Sequence, residues 1–137
     1  MVDLMFLLDT NIFLELLLNQ ENADEVRDFL VRVPLSDLSV SAFSLYSIGI
    51  LLVRQKQYAL YTKFLNDVVG DEGMRVIVIS EEELGGVSSV AERFSLDFDD
   101  AYQYTVAKNN DLVIVSFDRH FDITDRGRRT PAQIRTE

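Results

Sequence analysis

The sequence predicts an α/β fold of three layers, in which helices cover both faces of a parallel sheet. Short continuous apolar runs, such as residues 4–8 and 112–116, are typical of strands that are buried on both faces. Stretches with a helical spacing of apolar residues separate these runs, and this alternation indicates βαβ units with right-handed crossovers. The 137 residues contain no repeat or linker, so we expect a single domain over residues 1–137.

The first half of the chain is predicted to hold two strands and four helices. Capping side chains at Asp9, Thr10 and Asn11 follow the first strand and predict the start of a helix. Pro34 ends the second helix, and Gly70 ends the fourth. In chain order, the strands span residues 4–8 and 38–41, and the helices span residues 12–18, 23–33, 42–54 and 58–69.

The second half is predicted to alternate strands with two longer helices. Residues of high β-propensity between Gly73 and Ser80 predict a strand. The acidic turn that begins at Glu81 suits the positive end of a helix dipole, and Asp97 is a capping residue for the next helix. The strands are expected at residues 74–79 and 112–116, the helices at 81–94 and 98–109, and a short edge strand around 130–134.

Composition restricts the polar chemistry mainly to carboxylates. The chain has no cysteine and one histidine, which excludes zinc–thiolate sites, thiol nucleophiles and multi-histidine metal sites. A net charge of −10 disfavours bulk attraction to nucleic acid or anionic membranes, although it allows a local basic patch. No apolar stretch approaches the ~20 residues that span a bilayer. Asp3 stands where a secretory signal carries a basic residue, so we expect a cytoplasmic protein.

Carboxylates follow two of the predicted strands and open one helix. Asp9 directly follows the first strand, Asp118 lies two residues past the last long strand, and Asp100 belongs to an acidic cluster at a helix start. In open α/β sheets, sites form beyond the carboxyl ends of the strands, at a switch in strand order. Each acid alone also suits an ordinary turn or helix cap, so only their convergence would indicate a site.

If Asp9, Asp100 and Asp118 converge, they require a counter-ion. Two carboxylates roughly 4 Å apart repel by about 4 kcal/mol at an effective dielectric constant of about 20. Mg²⁺ or Mn²⁺ accepts hard oxygen ligands and retains several waters, so a few carboxylates suffice to hold it. Such an ion activates water and stabilises the charge on an attacked phosphodiester. This chemistry needs neither cysteine nor several histidines.

Three segments together resemble the PIN domain, the nuclease domain of VapC-type toxins in toxin–antitoxin pairs. They are Phe-Leu-Leu-Asp-Thr-Asn at residues 6–11, Leu-Asp-Phe-Asp-Asp-Ala at 96–101 and Leu-Val-Ile-Val-Ser-Phe-Asp-Arg-His-Phe at 112–121. The resemblance implies a parallel sheet of about five strands in a three-layer sandwich. It also implies an Mg²⁺- or Mn²⁺-dependent endoribonuclease, the toxin of such a pair, that forms a homodimer and is blocked by an antitoxin protein.

The resemblance assigns roles to five polar residues. Asp9, Asp100 and Asp118 match the catalytic, metal-binding acids of the family. Asn11 and Ser116 match its supporting polar positions.

One position departs from the family pattern. Ser47 stands where the family usually carries a further acid, and no acidic residue occurs between Asp37 and Asp67. A serine hydroxyl is a poor Mg²⁺ ligand, although it could hold a metal-bound water, so Ser47 counts as a supporting residue. Glu15, one turn past Asn11, is a candidate substitute for this acid. The alternative function is therefore a catalytically impaired PIN module that binds RNA or protein.

A receiver-like signalling domain also gathers acids at strand ends. That class expects an acidic pair at the first strand and a lysine after the last one. Here Asp9 stands alone, and no such lysine is present, so this hypothesis ranks third.

Basic residues concentrate near the end of the chain. Arg119, Arg126, Arg128 and Arg129 form either a positive rim that holds an RNA backbone or a solvated tail. His120, within the same polar segment, is predicted to be a surface residue rather than a general base.

The helix over residues 42–54 is more apolar than one buried face requires. Most of residues 48–53, together with Tyr58 and Tyr61, is expected to lie in the core. The excess would form a dimer interface or an antitoxin-binding groove.

Overall fold

Residues 4–135 are described by the computed structural model, and they contain four strands, six α-helices and three short 3-10 turns. The strands are β1 (Phe6–Leu8), β2 (Leu38–Ser41), β3 (Arg75–Ile77) and β4 (Val113–Val115). The helices are α1 (Thr10–Leu17), α2 (Ala23–Arg32), α3 (Ala42–Arg54), α4 (Tyr58–Val68), α5 (Glu81–Phe94) and α6 (Phe98–Asn110). The 3-10 turns span Leu35–Asp37, Arg119–Ile123 and Pro131–Gln133.

The four strands form one parallel sheet in the order β3-β2-β1-β4. The chain builds outward from β1 through β2 to β3, and then returns to place β4 on the other side of β1. The strand order therefore reverses between β1 and β4, where Phe6 pairs with both Leu38 and Val113. In open α/β sheets, this switch point is where ligand sites form.

Two apolar cores lie on opposite faces of the sheet, because alternate side chains of a strand point to opposite sides. Leu8 packs with residues of α1 to α4, including Phe29 and Leu52. The neighbouring Leu7 packs with residues of α5 and α6, including Val87 and Val106. The predicted three-layer α/β architecture is confirmed.

The predicted edge strand over residues 130–134 is wrong. Pro131 has no N–H to donate to a sheet, and it opens a 3-10 turn closed by reciprocal capping bonds between Thr130 and Gln133. Only Arg129, just before this turn, makes a single parallel bridge to Val115 of β4. The sheet in residues 4–135 therefore has four strands where about five were expected.

The other predicted elements are present, with shifts at their ends. The strand at 38–41 and the helices at 42–54 and 81–94 have the predicted bounds. The first helix begins at Thr10 rather than at residue 12, because Asp9 is its N-cap. The first, third and fourth strands are three residues each, shorter than predicted.

In residues 4–135, no helix is both long enough and apolar enough to cross a bilayer. Asp3, which supports the expectation that the protein is not exported, lies outside the described residues.

Candidate active site

Asp9, Asp100 and Asp118 come from three elements that meet at the carboxyl end of the sheet. Asp9 follows β1, and its N–H donates to the carbonyl oxygen of Val115 at the end of β4, 2.9 Å away. Asp118 lies beyond that end of β4 and accepts a hydrogen bond from the N–H of His120 at 2.8 Å. Asp100 lies in the first turn of α6. The switch point between β1 and β4 therefore brings the predicted aspartates towards one pocket.

His120 joins two of these carboxylates. Its Nδ1 lies 3.1 Å from Oδ2 of Asp100 and 3.1 Å from Oδ1 of Asp118. The hydrogen bond to Asp100, and then the negative charge of Asp118, raise the pKa of His120. Its side chain is 66% exposed, so the prediction of a surface residue holds, but its imidazole still faces the carboxylates. The ligand atoms of these three residues all lie within 4.8 Å of one another, a spacing that could hold a metal ion.

The pocket makes ionisation of Asp100 unfavourable. Burial is the main cause, and the charges of Asp99 and Asp118 add to it, so the pKa of Asp100 rises from 3.8 to about 7. The charge of Asp9 also raises it, whereas the hydrogen bond with His120 opposes the rise. A cation in the pocket would reverse this balance, because an adjacent positive charge favours the ionised carboxylate.

Asp9, directly after β1, is buried, with 6% of its surface exposed. Its Oδ1 accepts hydrogen bonds from the N–H of Thr10 at 2.9 Å and from Nε2 of Gln103 at 3.2 Å. Its Oδ2 accepts from the hydroxyl of Ser116 at 2.7 Å and from Nδ2 of Asn11 at 3.2 Å. Burial raises the pKa of Asp9, and these donors oppose that rise, while the charge of Asp118 adds to it. Asn11 and Ser116 thus both contact Asp9, and their supporting role in the site stays a prediction.

Ser116 also links two of the acids. While its hydroxyl donates to Asp9, the same oxygen accepts the N–H of Asp118 at 2.9 Å. Nδ2 of Asn11 lies 3.1 Å from this oxygen as well, and Oδ1 of Asn11 accepts the N–H of Phe117 at 3.3 Å. This network fixes the end of β4 relative to Asp9.

Sequence analysis missed two residues of this network, Ser44 and Gln103. Nε2 of Gln103 donates to Oγ of Ser44 at 2.7 Å, and that hydroxyl lies 2.8 Å from Oγ1 of Thr10. Gln103 follows Asp100 by three residues, which places both on one side of α6. That spacing was the available signal, but a glutamine inside a helix is usually solvated, so nothing else singled it out.

Neither proposed replacement for the missing family acid enters the Asp9 network. The hydroxyl from α3 that reaches this network belongs to Ser44, whereas Ser47 is half-buried one turn further along the helix. The carboxylate of Glu15 accepts the N–H of Asn22 at 2.9 Å, which ties it to the start of α2. Glu15 is therefore not a substitute ligand in this structure.

The four arginines after β4 differ in how far their side chains are already engaged in hydrogen bonds and ion pairs. Nη2 of Arg126 donates to the carbonyl oxygen of Leu112 at 3.0 Å. Arg128 pairs with Asp122 at 3.1 Å and donates to the carbonyl oxygen of Ser116, so its side chain is only 13% exposed. Arg119 and Arg129 are exposed. Contact of all four with RNA stays a prediction.

Part of α3 presents apolar side chains to solvent. Ile48 and Leu52 are buried, as expected, and the hydroxyl of Tyr61 donates to the carbonyl oxygen of Leu45 at 2.7 Å. Four large side chains nevertheless remain exposed, three on α3 and one at the first residue of α4, and we call them the α3 stripe: Tyr46, Ile50, Val53 and Tyr58.

Comparison with known proteins places this chain in a family. The PIN domain profile matches residues 6–127, and no curated protein matches the chain. Among solved structures, FitAcB from Neisseria gonorrhoeae is similar with a TM-score of 0.75 and 22% identity, over 95% of this chain and 100% of that one. A toxin–antitoxin complex from Klebsiella pneumoniae gives a TM-score of 0.73 and 19% identity, over 94% and 99%.

A third similar structure is VapC20 from Mycobacterium tuberculosis, a sarcin–ricin loop cleaving toxin. Its TM-score is 0.71 at 15% identity, over 82% of this chain and 89% of that one. These likenesses support the fold, and the profile match shows that the chain belongs to the PIN domain family. PIN domains are generally nucleases, so the receiver-like hypothesis is wrong.

Proposed function

We propose that this PIN domain is a divalent-metal-dependent endoribonuclease that acts as the toxin of a toxin–antitoxin pair. The proposal is supported most directly by the ligand atoms of Asp100, Asp118 and His120, which lie within 4.8 Å of one another, with Asp9 close enough for its charge to act on Asp100. Burial, and then the charges of Asp99 and Asp118, raise the pKa of Asp100 to about 7, and shifted carboxylates of this kind cluster at functional sites. The similar structures include a toxin–antitoxin complex and an RNA-cleaving toxin, which agrees with this class of function.

The residues of the pocket fit Mg²⁺ or Mn²⁺. Asp9, Asp100 and Asp118 offer hard oxygen ligands, and the amide oxygen of Gln103 is buried without a hydrogen-bond partner in the described residues. When bound, a divalent cation supplies Lewis acidity for the attack of water on a phosphodiester. Asn11 and Ser116 hold the carboxylate of Asp9 in place, since both donate to its Oδ2.

Incubation of the purified chain with varied RNAs and Mn²⁺ tests this activity. We expect cleavage that is lost on addition of EDTA and in the variant Asp9→Asn. The variant Asp71→Asn, at an exposed acid on the loop after α4, is the matched control and should cleave normally. Cleavage that survives both EDTA and Asp9→Asn would refute the metal-dependent mechanism.

The absence of an acid at position 47 favours a second candidate, a catalytically impaired PIN module that binds RNA or protein. The pocket then retains three carboxylates but lacks the family's further acid. This candidate predicts that the wild-type chain binds RNA or a partner protein without cleaving any RNA in Mn²⁺.

The proposal also includes RNA, a second copy of the chain and an antitoxin as partners, and the cytoplasm as the location. Arg119 and Arg129 are exposed beside the pocket segment and would contact the RNA backbone, with Arg126 and Arg128 supporting the same rim. The α3 stripe would bury its apolar surface against a second copy of the chain, and an antitoxin protein would block the RNase. Residues 1–137 would act as one domain in the cytoplasm.

A further inference from the structure

Gln103 is held in an unusual way for a buried glutamine. It is 1% exposed, and its Nε2 donates to both Asp9 and Ser44, at 3.2 and 2.7 Å. Its Oε1 is also buried and has no hydrogen-bond partner among residues 4–135. A buried polar atom without a partner costs about 1–3 kcal/mol, so its retention in a pocket of candidate ligands calls for an explanation.

The carboxylate of Asp9 has no acceptor site left. An ionised carboxylate accepts roughly four hydrogen bonds, and Asp9 receives one each from Thr10, Asn11, Ser116 and Gln103. A cation that uses Asp9 as a ligand must therefore displace one of these four donors.

Three of the four donors are fixed by other bonds. The N–H of Thr10 belongs to the backbone at the first residue of α1. Asn11 also accepts the N–H of Phe117, and Ser116 also accepts the N–H of Asp118. Gln103 differs because the oxygen of its amide is unpaired, so turning the amide by half a turn changes only its bonds to Asp9 and Ser44.

The neighbouring hydroxyl tolerates either orientation of this amide. If Oε1 of Gln103 replaced Nε2, Ser44 would donate where it now accepts, and it could still accept from Thr10 or Ser41. The two orientations then differ mainly in what faces Asp9. An amide N–H donates a hydrogen bond to the Asp9 carboxylate and stabilises it when no cation is bound. An amide oxygen repels that carboxylate, so this orientation is favourable only when a cation binds both oxygens.

The observed spacing suits this second role. The Gln103 nitrogen lies 3.2 Å from Oδ1 of Asp9. A cation beside both side chains would thus be held by the amide oxygen of Gln103 and the carboxylate of Asp9, which are oxygen ligands of the kind that Mg²⁺ prefers.

From these observations, and resting on the proposed metal-dependent function, we propose that Gln103 is a switchable neutral ligand of the divalent-cation site. Without the cation, its amide nitrogen holds Asp9. With the cation, its amide oxygen joins Asp9 as a ligand and contributes an oxygen donor in a pocket that lacks the family's acid at Ser47. No covalent bond changes, and no proton leaves the amide.

Calorimetric titration with Mn²⁺, without RNA, tests the ligand role. We expect Gln103→Leu to bind Mn²⁺ at least about tenfold more weakly than wild type. Gln103→Glu, which keeps an oxygen at this place, should bind at least as tightly as wild type. The control Gln55→Leu, at an exposed glutamine, should leave the affinity unchanged. A folded Gln103→Leu protein with wild-type affinity would overturn the inference, even if its melting temperature without metal were lower.

Nuclear magnetic resonance of the wild-type protein provides a second readout that does not depend on folding of a variant. Addition of diamagnetic Mg²⁺ should shift the side-chain amide resonances of Gln103. These shifts should saturate at the same Mg²⁺ concentration as the shifts of the Asp9 resonances. Unchanged Gln103 amide resonances at saturating Mg²⁺ would overturn the inference while leaving the metal site intact. If wild type binds neither Mn²⁺ nor Mg²⁺, the proposed function fails together with the inference.

Discussion

At the scale of single residues, the pocket keeps carboxylates in surroundings that oppose their charge. Asp9 is buried under four hydrogen-bond donors, and Asp100 sits close to Asp99, Asp118 and Asp9. Hydrogen bonds offset part of the cost of ionising the buried Asp9 carboxylate. The carboxylate of Asp100 has mainly the contact with His120 to offset the same cost. Without a cation, this pocket should destabilise the fold at neutral and alkaline pH.

The variant Asp100→Asn tests that cost. Because the folded pKa of Asp100 is about 7, above its ordinary 3.8, the folded state binds the proton more tightly than the unfolded state. The stability of the metal-free protein therefore falls as the pH rises from about 4 to about 7, and the loss is complete above that range. Asparagine cannot ionise, so we expect the variant to be more stable by on the order of 4 kcal/mol at pH 8, and by less at pH 5.

Urea unfolding in EDTA at the two pH values measures this difference. Asp71→Asn, at an exposed site, serves as the control and should give the same small change at both. An Asp100→Asn variant that is less stable than wild type at pH 8 would show that the carboxylate is favourable in the pocket without a cation.

Ser47 defines a second test at the residue scale. Ser47→Glu restores an acid at the family position, on a half-buried turn of α3. A further anionic oxygen ligand should strengthen Mn²⁺ binding and raise the rate of RNA cleavage, if the cation reaches this side of the pocket. Binding is measured by titration calorimetry and cleavage by single-turnover assays, with Ser47→Gln as the uncharged control. No gain in either quantity would indicate that the site is complete without this acid.

At the scale of elements, most boundaries could be predicted because local signals agree with the fold. The capping box of Ser80 and Glu83 fixes the start of α5, and Asp9 caps α1. The prediction of an edge strand was wrong because a polar segment with β-compatible residues carries little local information about its structure. Pro131 there favours a 3-10 turn. Gln103 and Ser44 could not be predicted, since their pairing depends on the packing of α6 against α3.

The α3 stripe is proposed to pack against a second copy of the chain. Ile50 is 55% exposed in its middle, and a charged residue there should prevent association of two apolar surfaces. We expect Ile50→Lys to convert a dimer of the wild-type chain into a monomer, measured by sedimentation equilibrium. The control Val31→Lys, on α2 at a residue that is 87% exposed, should remain dimeric. A wild-type monomer, or a dimer that survives Ile50→Lys, would contradict this interface.

At the scale of the whole molecule, the topology explains why acids far apart in sequence share a pocket. Asp9 follows β1 and Asp118 follows β4, and these two strands are neighbours in the sheet. The strands are far apart in sequence: the hydrogen bond between Asn11 and Ser116, one just past the end of each strand, joins residues 105 positions apart. Sequence analysis could anticipate this meeting, because parallel strands align their carboxyl ends. It could not assign His120, whose contact with Asp100 depends on the 3-10 turn after β4.

Binding of a cation to the folded chain alone should raise its stability. At a Mn²⁺ concentration of about 100 times Kd, the free energy of unfolding should increase by about 2.7 kcal/mol. Thermal or urea unfolding with and without Mn²⁺ measures this gain, and Asp9→Asn should reduce it strongly. An equal gain in wild type and in Asp9→Asn would place the ion elsewhere on this acidic protein, which carries a net charge of −10.

We infer that Asp9, Asp100 and Asp118 together hold a divalent cation. An anomalous difference map from a crystal of the protein grown with Mn²⁺ tests it most directly. We expect a strong peak in the pocket, within bonding distance of carboxylate oxygens from all three residues. A crystal in which Mn²⁺ binds only elsewhere, or in which the pocket stays empty at saturating Mn²⁺, would contradict it.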